Sequence, residues 1–469
     1  MTDQPLSPQK TSRLDEYLDS FPLGKTPLVM LLLFVVAALS MGLGDDEEDQ
    51  RLTYWCFART HYDDYIVARE RFTAAHPGWT VDIKLVDHVS LLNRLTAAFV
   101  RGSGAPDASE IEITGIGRFF KGDPENVPFE DLAALGAQYG DEGWTEQIVA
   151  NRFAPWSYKG HIFGMPQDLH PVVLLYRQDI FAELGYPDFP AAAATWDDFV
   201  RIALEVSRPK SVDPENPRYA IGLHSKDFWQ YWQLLHQRGV SVYDPQRRPA
   251  LDSPESVEVL TFIADLFRRH DVAWPIADLP TFWAAVKRDE VLTFLAADWF
   301  VGFLRNNVPE QAGQWRAMPL PAWTPGGRRV STHGGTTTVI PKQGKNKQMA
   351  WEFTKFLYLS RQETVQRALK TRVMPALHQS YGDPQLLGDE FAYLGGQRLG
   401  ALFAQLKDDI PPVYLHSSWT EASVQMRDAV FQTVIAGEDP AAELAQLQAY
   451  VEEIMQRYAS IEALLEGRE

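Results

Sequence analysis

LTYWCFARTHYDDYIVARERFTAAHPGWTVDIKLVDHVSLLNRLTAAFVRGSGAPDASEIEI, residues 52–113, decides the fold class. Residues 52–57 are a short apolar run rich in β-formers and predict a buried strand. A loop over 58–61 and a helix over 63–75 are expected next, with Pro77 and Gly78 ending the helix. Val81, Ile83 and Leu85 alternate with polar residues and predict a second strand. Leu92, Leu95 and Phe99 recur at helical spacing, so 89–100 reads as a helix closed by Gly102 and Gly104. Residues 108–113 supply a third strand. A β-α-β-α-β order of this kind implies parallel strands with helices packed on the sheet faces.

A second α/β unit follows. Strands are expected at 163–165, 172–176 and 219–223, and helices at 228–237 and 253–269. Thr195 with Asp198 three residues on has the form of a capped helix start. Residues 291–296 and 336–340 read as further strands and 315–320 as an extended segment. Leu444, Leu447, Val451, Ile454 and Tyr458 predict a long terminal helix. No repeat or low-complexity linker separates the units, so the two domains are expected to share the chain by crossing back and forth.

Upstream, residues 26–44 (TPLVMLLLFVVAALSMGLG) carry no charge. At 1.5 Å per residue such a run reaches across a hydrocarbon layer about 30 Å thick. Lys10, Arg13 and Lys25 precede it and an acidic run, residues 45–49, follows it. That bias puts residues 1–25 in the cytoplasm and the remainder outside it. The expectation is an N-terminal transmembrane helix. A cleaved signal segment with Ala38-Leu39-Ser40 at its end is the other reading.

Composition removes several function classes. The 44 Lys+Arg against 62 Asp+Glu give a net charge of −18, which repels phosphate backbones and argues against nucleic-acid binding. A single cysteine, Cys56, excludes internal disulfides and clustered-thiolate zinc sites. Neither a P-loop, an H-E-x-x-H motif nor a G-x-S-x-G elbow is present. No metal or cofactor is expected.

Aromatic residues carry the positive signal. Trp229, Trp232, Trp299, Trp323 and Trp419 fall just after expected strands or beside turns, where open α/β sheets bind ligands. An indole face there stacks on the apolar face of a sugar ring, while acids, histidines and arginines bond its hydroxyls. Core packing is the competing role for each tryptophan. Asp298, directly before Trp299 at a strand end, favours the ligand role for that pair. His333 and Gly335 precede another strand, and glycine there permits close backbone approach. For His333, Arg59 and His61, surface solvation and ligand contact are equally open.

Larger segments bring in a resemblance. Leu52-Thr-Tyr-Trp-Cys-Phe, Arg71-Phe72, His76-Pro77-Gly78 and Gly104-Ala105-Pro106-Asp107 are followed by Gly164-Met165-Pro166-Gln167-Asp168. Then come Leu175-Tyr176-Arg177-Gln178-Asp179-Ile180-Phe181, Thr195-Trp196-Asp197-Asp198-Phe199, Ala296-Ala297-Asp298-Trp299, His333-Gly334-Gly335 and Ala350-Trp351-Glu352-Phe353. In order and spacing these segments resemble the family 1 extracellular solute-binding proteins of ABC transporters. The resemblance implies a type II periplasmic-binding-protein-like fold: two α/β lobes, joined by crossing strands, that close on a sugar or oligosaccharide. The first lobe is expected over 45–168 and 291–332, the second over 169–290 and 333–469. By the same resemblance Trp299 stacks on sugar, and Thr114 stands where an aromatic often sits. Arg59, Thr60 and His61 occupy a polar contact loop, Asp168 and His170 lie at a crossing strand, and Trp419 is near a further aromatic position. The implied protein is a monomer without catalytic activity, on the extracytoplasmic face of the inner membrane, delivering its ligand to permease subunits. A membrane-anchored ligand sensor and an exported carbohydrate hydrolase are the alternative functions.

Overall fold

The opening stretch forms β1 (Arg51–Cys56), α1 (Arg59–Ala75), β2 (Thr80–Leu85), α2 (His88–Arg101) and β3 (Ala108–Glu112) in a computed structural model that describes residues 50–465 and Met30. β1 pairs in parallel with both β2 and β3. Leu52, Tyr54 and Cys56 share one strand face and are fully buried, the period-two pattern of a half-covered strand. α1 begins at Arg59, so the loop expected over 58–61 is corrected. That segment holds neither glycine nor proline, and Tyr62 N–H already donates to Ala58 O at 3.0 Å. α2 starts on Asp87, whose carboxylate accepts from Ser90 N–H at 3.1 Å, and ends on Gly102 at φ 73°. Glycine there enters the left-handed region without a Cβ clash.

The remaining strands are β4 (Ser157–Tyr158), β5 (His161–Ile162), β6 (Met165–Pro166), β7 (Pro171–Arg177), β8 (Ile221–His224), β9 (Ala273–Ile276), β10 (Thr293–Ala297), β11 (Trp315–Met318), β12 (Ser331–Thr332) and β13 (Thr336–Val339). The first sheet has the order β2-β1-β3-β13-β6; the second runs β11-β7-β10-β8-β9, with β12 also on β7, and β4-β5 is a separate hairpin. β7 is buried along its whole length, as its run PVVLLYR requires of a strand covered on both faces. Each sheet is the centre of one lobe.

The expected lobe boundaries need correction at this point. β10, β11 and β12, inside 291–332, belong to the second sheet, whereas β13, inside 333–469, belongs to the first. The reason is edge pairing: β10 lies antiparallel to β7 on one side, β11 and β12 on the other, and β13 inserts antiparallel between β3 and β6. The chain therefore crosses between lobes at residues 167–170 and returns at 333–335.

Helices complete the layers. α3 (Trp196–Val206) starts with the expected capping box, Thr195 Oγ1 accepting from Asp198 N–H at 3.1 Å and Asp198 answering at Thr195 N–H. Thr195→Ala is expected to cost about 1 kcal/mol, read as a lower urea midpoint at unchanged slope. The second sheet is flanked by α4 (Trp229–Arg238), α5 (Pro254–Arg268), α6 (Leu279–Lys287) and α7 (Asp298–Asn307). α8 (Lys347–Tyr358) and α9 (Arg361–Thr371) pack on α1 of the first lobe. α10 (Trp419–Phe431) packs on α11 (Pro440–Leu465), and α11 in turn on α5 of the second lobe. The tail beyond 333 is thus divided between the lobes. The apolar span expected at 26–44 lies outside the described residues. Among the described residues no helix is long and apolar enough to cross a membrane.

Candidate functional site

The carboxyl ends of β8 and β10, the start of α4 and the return crossing at 333–335 meet at one place. His224 ends β8, Trp229 opens α4, and Trp299 follows Asp298 at the start of α7. Trp229, Trp299 and His333 are only partly buried, and together with His224, Gln233 and Phe282 they line a cavity of about 460 Å³. The His333 ring stacks on Trp229, centroids 4.9 Å apart with planes at 30°, and meets Trp299 edge-on at 5.5 Å. Trp299 Nε1–H donates to His333 O at 3.1 Å, which fixes the indole beside the crossing segment. Burial, with help from the positive charge at His170, pushes the His333 imidazole down to about 3. The ring is therefore neutral, accepts at Nδ1 from Gln233 Nε2–H at 2.5 Å, and carries its proton on Nε2.

Directly beneath lies a buried charge cluster that ties the crossings together. His170 Nδ1–H donates to Asp298 Oδ1 at 2.8 Å, and its Nε2 lies 3.1 Å from Asp168 Oδ2. Burial works against the imidazolium, but the two carboxylates override it and hold His170 up to about 10. Burial likewise opposes the Asp168 carboxylate, and the His170 and Arg152 charges keep it below its ordinary value. Arg152 Nε–H donates to Asp168 O at 2.9 Å and one Nη–H to Thr332 Oγ1 at 3.1 Å. Asp168 Oδ1 accepts from Thr336 N–H at 3.1 Å, and Asp298 Oδ2 accepts from Met374 N–H at 2.6 Å. Met374 belongs to a third segment at the hinge, where Leu169 N–H donates to Met374 O and Ala376 N–H to Gln167 O. His170 itself has φ 46°, a left-handed conformation uncommon outside glycine.

The first lobe brings the end of β3 to the same hinge, since Glu112 is in register with Thr336. Glu112 Oε2 accepts from Thr114 N–H at 2.8 Å and from the Thr114 hydroxyl, and His88 Nε2 stands 3.7 Å away. Withdrawal from water pushes the Glu112 carboxyl up to about 7, against the two Thr114 hydrogen bonds that favour the carboxylate.

The expected site residues divide accordingly. Trp229, Trp299 and His333 come together on the cavity wall. Asp168, His170 and Asp298 are nearly inaccessible and are paired with one another in the hinge cluster. Gly335 is needed for space of another kind: a Cβ there would stand 2.6 Å from an Arg152 Nη. Thr114 braces Glu112. His61 is buried with Nδ1 3.0 Å from Glu110 Oε1, and Arg59 is exposed beside Asp63 at 3.9 Å; neither lines the cavity. Trp419 is 4% exposed and packs on Trp232 at 5.2 Å, a core position that corrects its expected ligand role. Residues not singled out from sequence are Glu112, Arg152, His224 and Gln233. A carboxylate at the last position of β3, ASEIE, was the available signal for Glu112.

Three comparisons fit this geometry. An arabinooligosaccharide-binding protein of Halalkalibacterium halodurans is 25% identical over 429 residues, spanning 88% of this chain and 92% of its own length. A protein of the same description from Bacillus subtilis is 23% identical over 406 residues, covering 84% of this chain and 90% of its own. Among solved structures, the sugar-binding protein MalE of Xanthomonas citri superposes with a TM-score of 0.73 at 18% identity, covering 88% of this chain and 98% of that one. It supports the two-lobed α/β fold. Residues 62–364, more than half of the chain, match the profile of the bacterial extracellular solute-binding proteins, and the chain belongs to that family.

Proposed function

We propose that this protein captures an oligosaccharide between its lobes, outside the cytoplasm, and delivers it to the permease of an ABC importer, with binding and no chemical step. The observation that carries this reading is the aromatic wall of Trp229, Trp299 and the neutral His333 at the strand carboxyl ends, beside the hinge. Indole faces suit the C–H face of a sugar, and a neutral imidazole exchanges hydrogen bonds with hydroxyls without the cost of burying a charge. Relatives named for arabinooligosaccharide binding, matched over most of their length, favour the same class. A monomer held at the membrane by residues 26–44 completes the proposal.

A thermal-shift panel of arabino- and malto-oligosaccharides tests it, and a saturable rise in melting temperature is the expected result. Silence across the panel would count against a sugar ligand. Closure is tested separately. The crossings at 167–170 and 333–335 allow the lobes to rotate, and a ligand that touches both favours the closed arrangement. Small-angle scattering should show a smaller radius of gyration at saturating ligand; an unchanged radius would leave no role for the hinge.

A further inference from the structure

The cavity behind the aromatic wall is unlike a surface made for sugar alone. Ile276, Phe282, Phe294, Leu295 and Phe300 belong to its lining, and no Asp, Glu, Lys or Arg is among the described residues that line it. Exposure gives it a direction: Trp229, Trp299, His333 and Phe300 are partly accessible and Leu279 is exposed, whereas Phe282 and Phe294 are covered by their neighbours and back the accessible lining. Its few polar groups are partly committed to one another. His224 N–H and Nδ1–H both donate to Gln230 Oε1, at 3.1 and 2.6 Å, and Gln233 Nε2 is taken by His333. Gln233 Oε1, on a residue 2% exposed, has no partner, and among the described residues none bonds His333 Nε2 or His224 Nε2 at the rim.

A sugar ring placed wholly inside would set several hydroxyls against a lining that is mostly apolar, and each unanswered hydroxyl weakens binding. An aryl or acyl group asks for none. A cavity of about 150 Å³ lined by Leu, Ile and Phe already takes up benzene, and this one measures about 460 Å³. We infer that the ligand is a glycan bearing an apolar substituent, an aromatic aglycone or an aromatic acyl ester, with the sugar stacked at the Trp229–Trp299 rim and the substituent seated in the apolar lining beside Phe300. This rests on the oligosaccharide reading above and narrows it.

Calorimetric titration with matched pairs tests the inference. The pairs are methyl and 4-nitrophenyl α-L-arabinofuranoside, methyl and 4-nitrophenyl α-maltoside, and arabinobiose with and without a feruloyl ester. In any pair that binds, the substituted member should bind at least tenfold tighter. The nitrophenyl and feruloyl arms tell an aglycone from an ester. Ala297→Leu, which fills the cavity from the end of β10, should bring that ratio below twofold; Leu279→Phe, at a half-exposed lining position, serves if the first variant does not fold. Equal affinities within a binding pair would overturn the inference and leave the oligosaccharide reading standing. 4-Nitrophenol alone, followed by quenching of tryptophan fluorescence, separates the remaining cases. Saturable quenching with no response to any glycoside would overturn the sugar reading and this inference with it. No quenching and no glycoside binding would overturn both as well.

Discussion

His170→Gln will lower the stability of the ligand-free protein by about 3–5 kcal/mol at pH 7, the usual cost of removing one partner from a buried ion cluster. The imidazolium lies between Asp168 and Asp298, both fully buried, and without it two carboxylates share the hinge with only Arg152, 3.6 Å from Asp168, to balance them. The pH dependence has a definite sign. His170 is raised in the folded state to about 10, against an ordinary value of about 6.5. Its stabilising contribution is therefore fully present below about pH 6.5 and is lost as pH climbs toward 10. Urea denaturation of the wild type between pH 6.5 and 10 should show falling stability, and the difference from His170→Gln should shrink across that window. A difference that stays constant with pH would mean that the histidine is neutral in the folded protein and that the hinge is held by packing.

How much of this was legible beforehand depended on the range of the interaction. The first β-α-β-α-β run and the Thr195 cap rest on local periodicity and local hydrogen bonds, and both were readable within a few residues. Sheet membership was not. Nothing local to residues 293–297 distinguishes an edge of β7 from an edge of β3; that choice is made by antiparallel pairing with a strand more than a hundred residues away. The candidate site shows the same split. Trp299 and Trp229 were legible because aromatics after strands point to the ends of a sheet. Asp168, His170 and Asp298 were found as polar residues at crossings, but their partners are one another. A carboxylate meant for ligand and a carboxylate meant for a buried histidine have the same one-letter code, and only the fold tells them apart. Trp419 was misplaced for a related reason: an aromatic opening a helix faces a cleft or the core according to what packs above it, here α4 through Trp232.

Trp299→Ala should weaken binding of the best oligosaccharide in the panel about thirtyfold, equivalent to about 2 kcal/mol, as expected for truncating an aromatic anchor at the centre of a binding patch. The indole is partly exposed, lines the cavity and meets His333, Phe300 and Phe303 edge-on, so its flat face is not covered by another ring within the protein. Its folded-state role is smaller: one hydrogen bond to His333 O, worth about 0.5–1.5 kcal/mol. Trp299→Phe keeps an aromatic face but loses the N–H, and it should recover most of the affinity. Asp298→Asn behaves differently from what its position beside Trp299 suggests. Its carboxylate is spent on His170, Trp299 N–H and Met374 N–H, so the substitution should lower stability first and affinity only through the displaced indole. Calorimetry on the ligand and urea denaturation of the free protein separate the two quantities. Were Trp299→Ala to keep its affinity while losing 3–5 kcal/mol of stability, the range for a tryptophan removed from a packed core, the indole would be a structural residue and the sugar platform would have to be sought at Trp229.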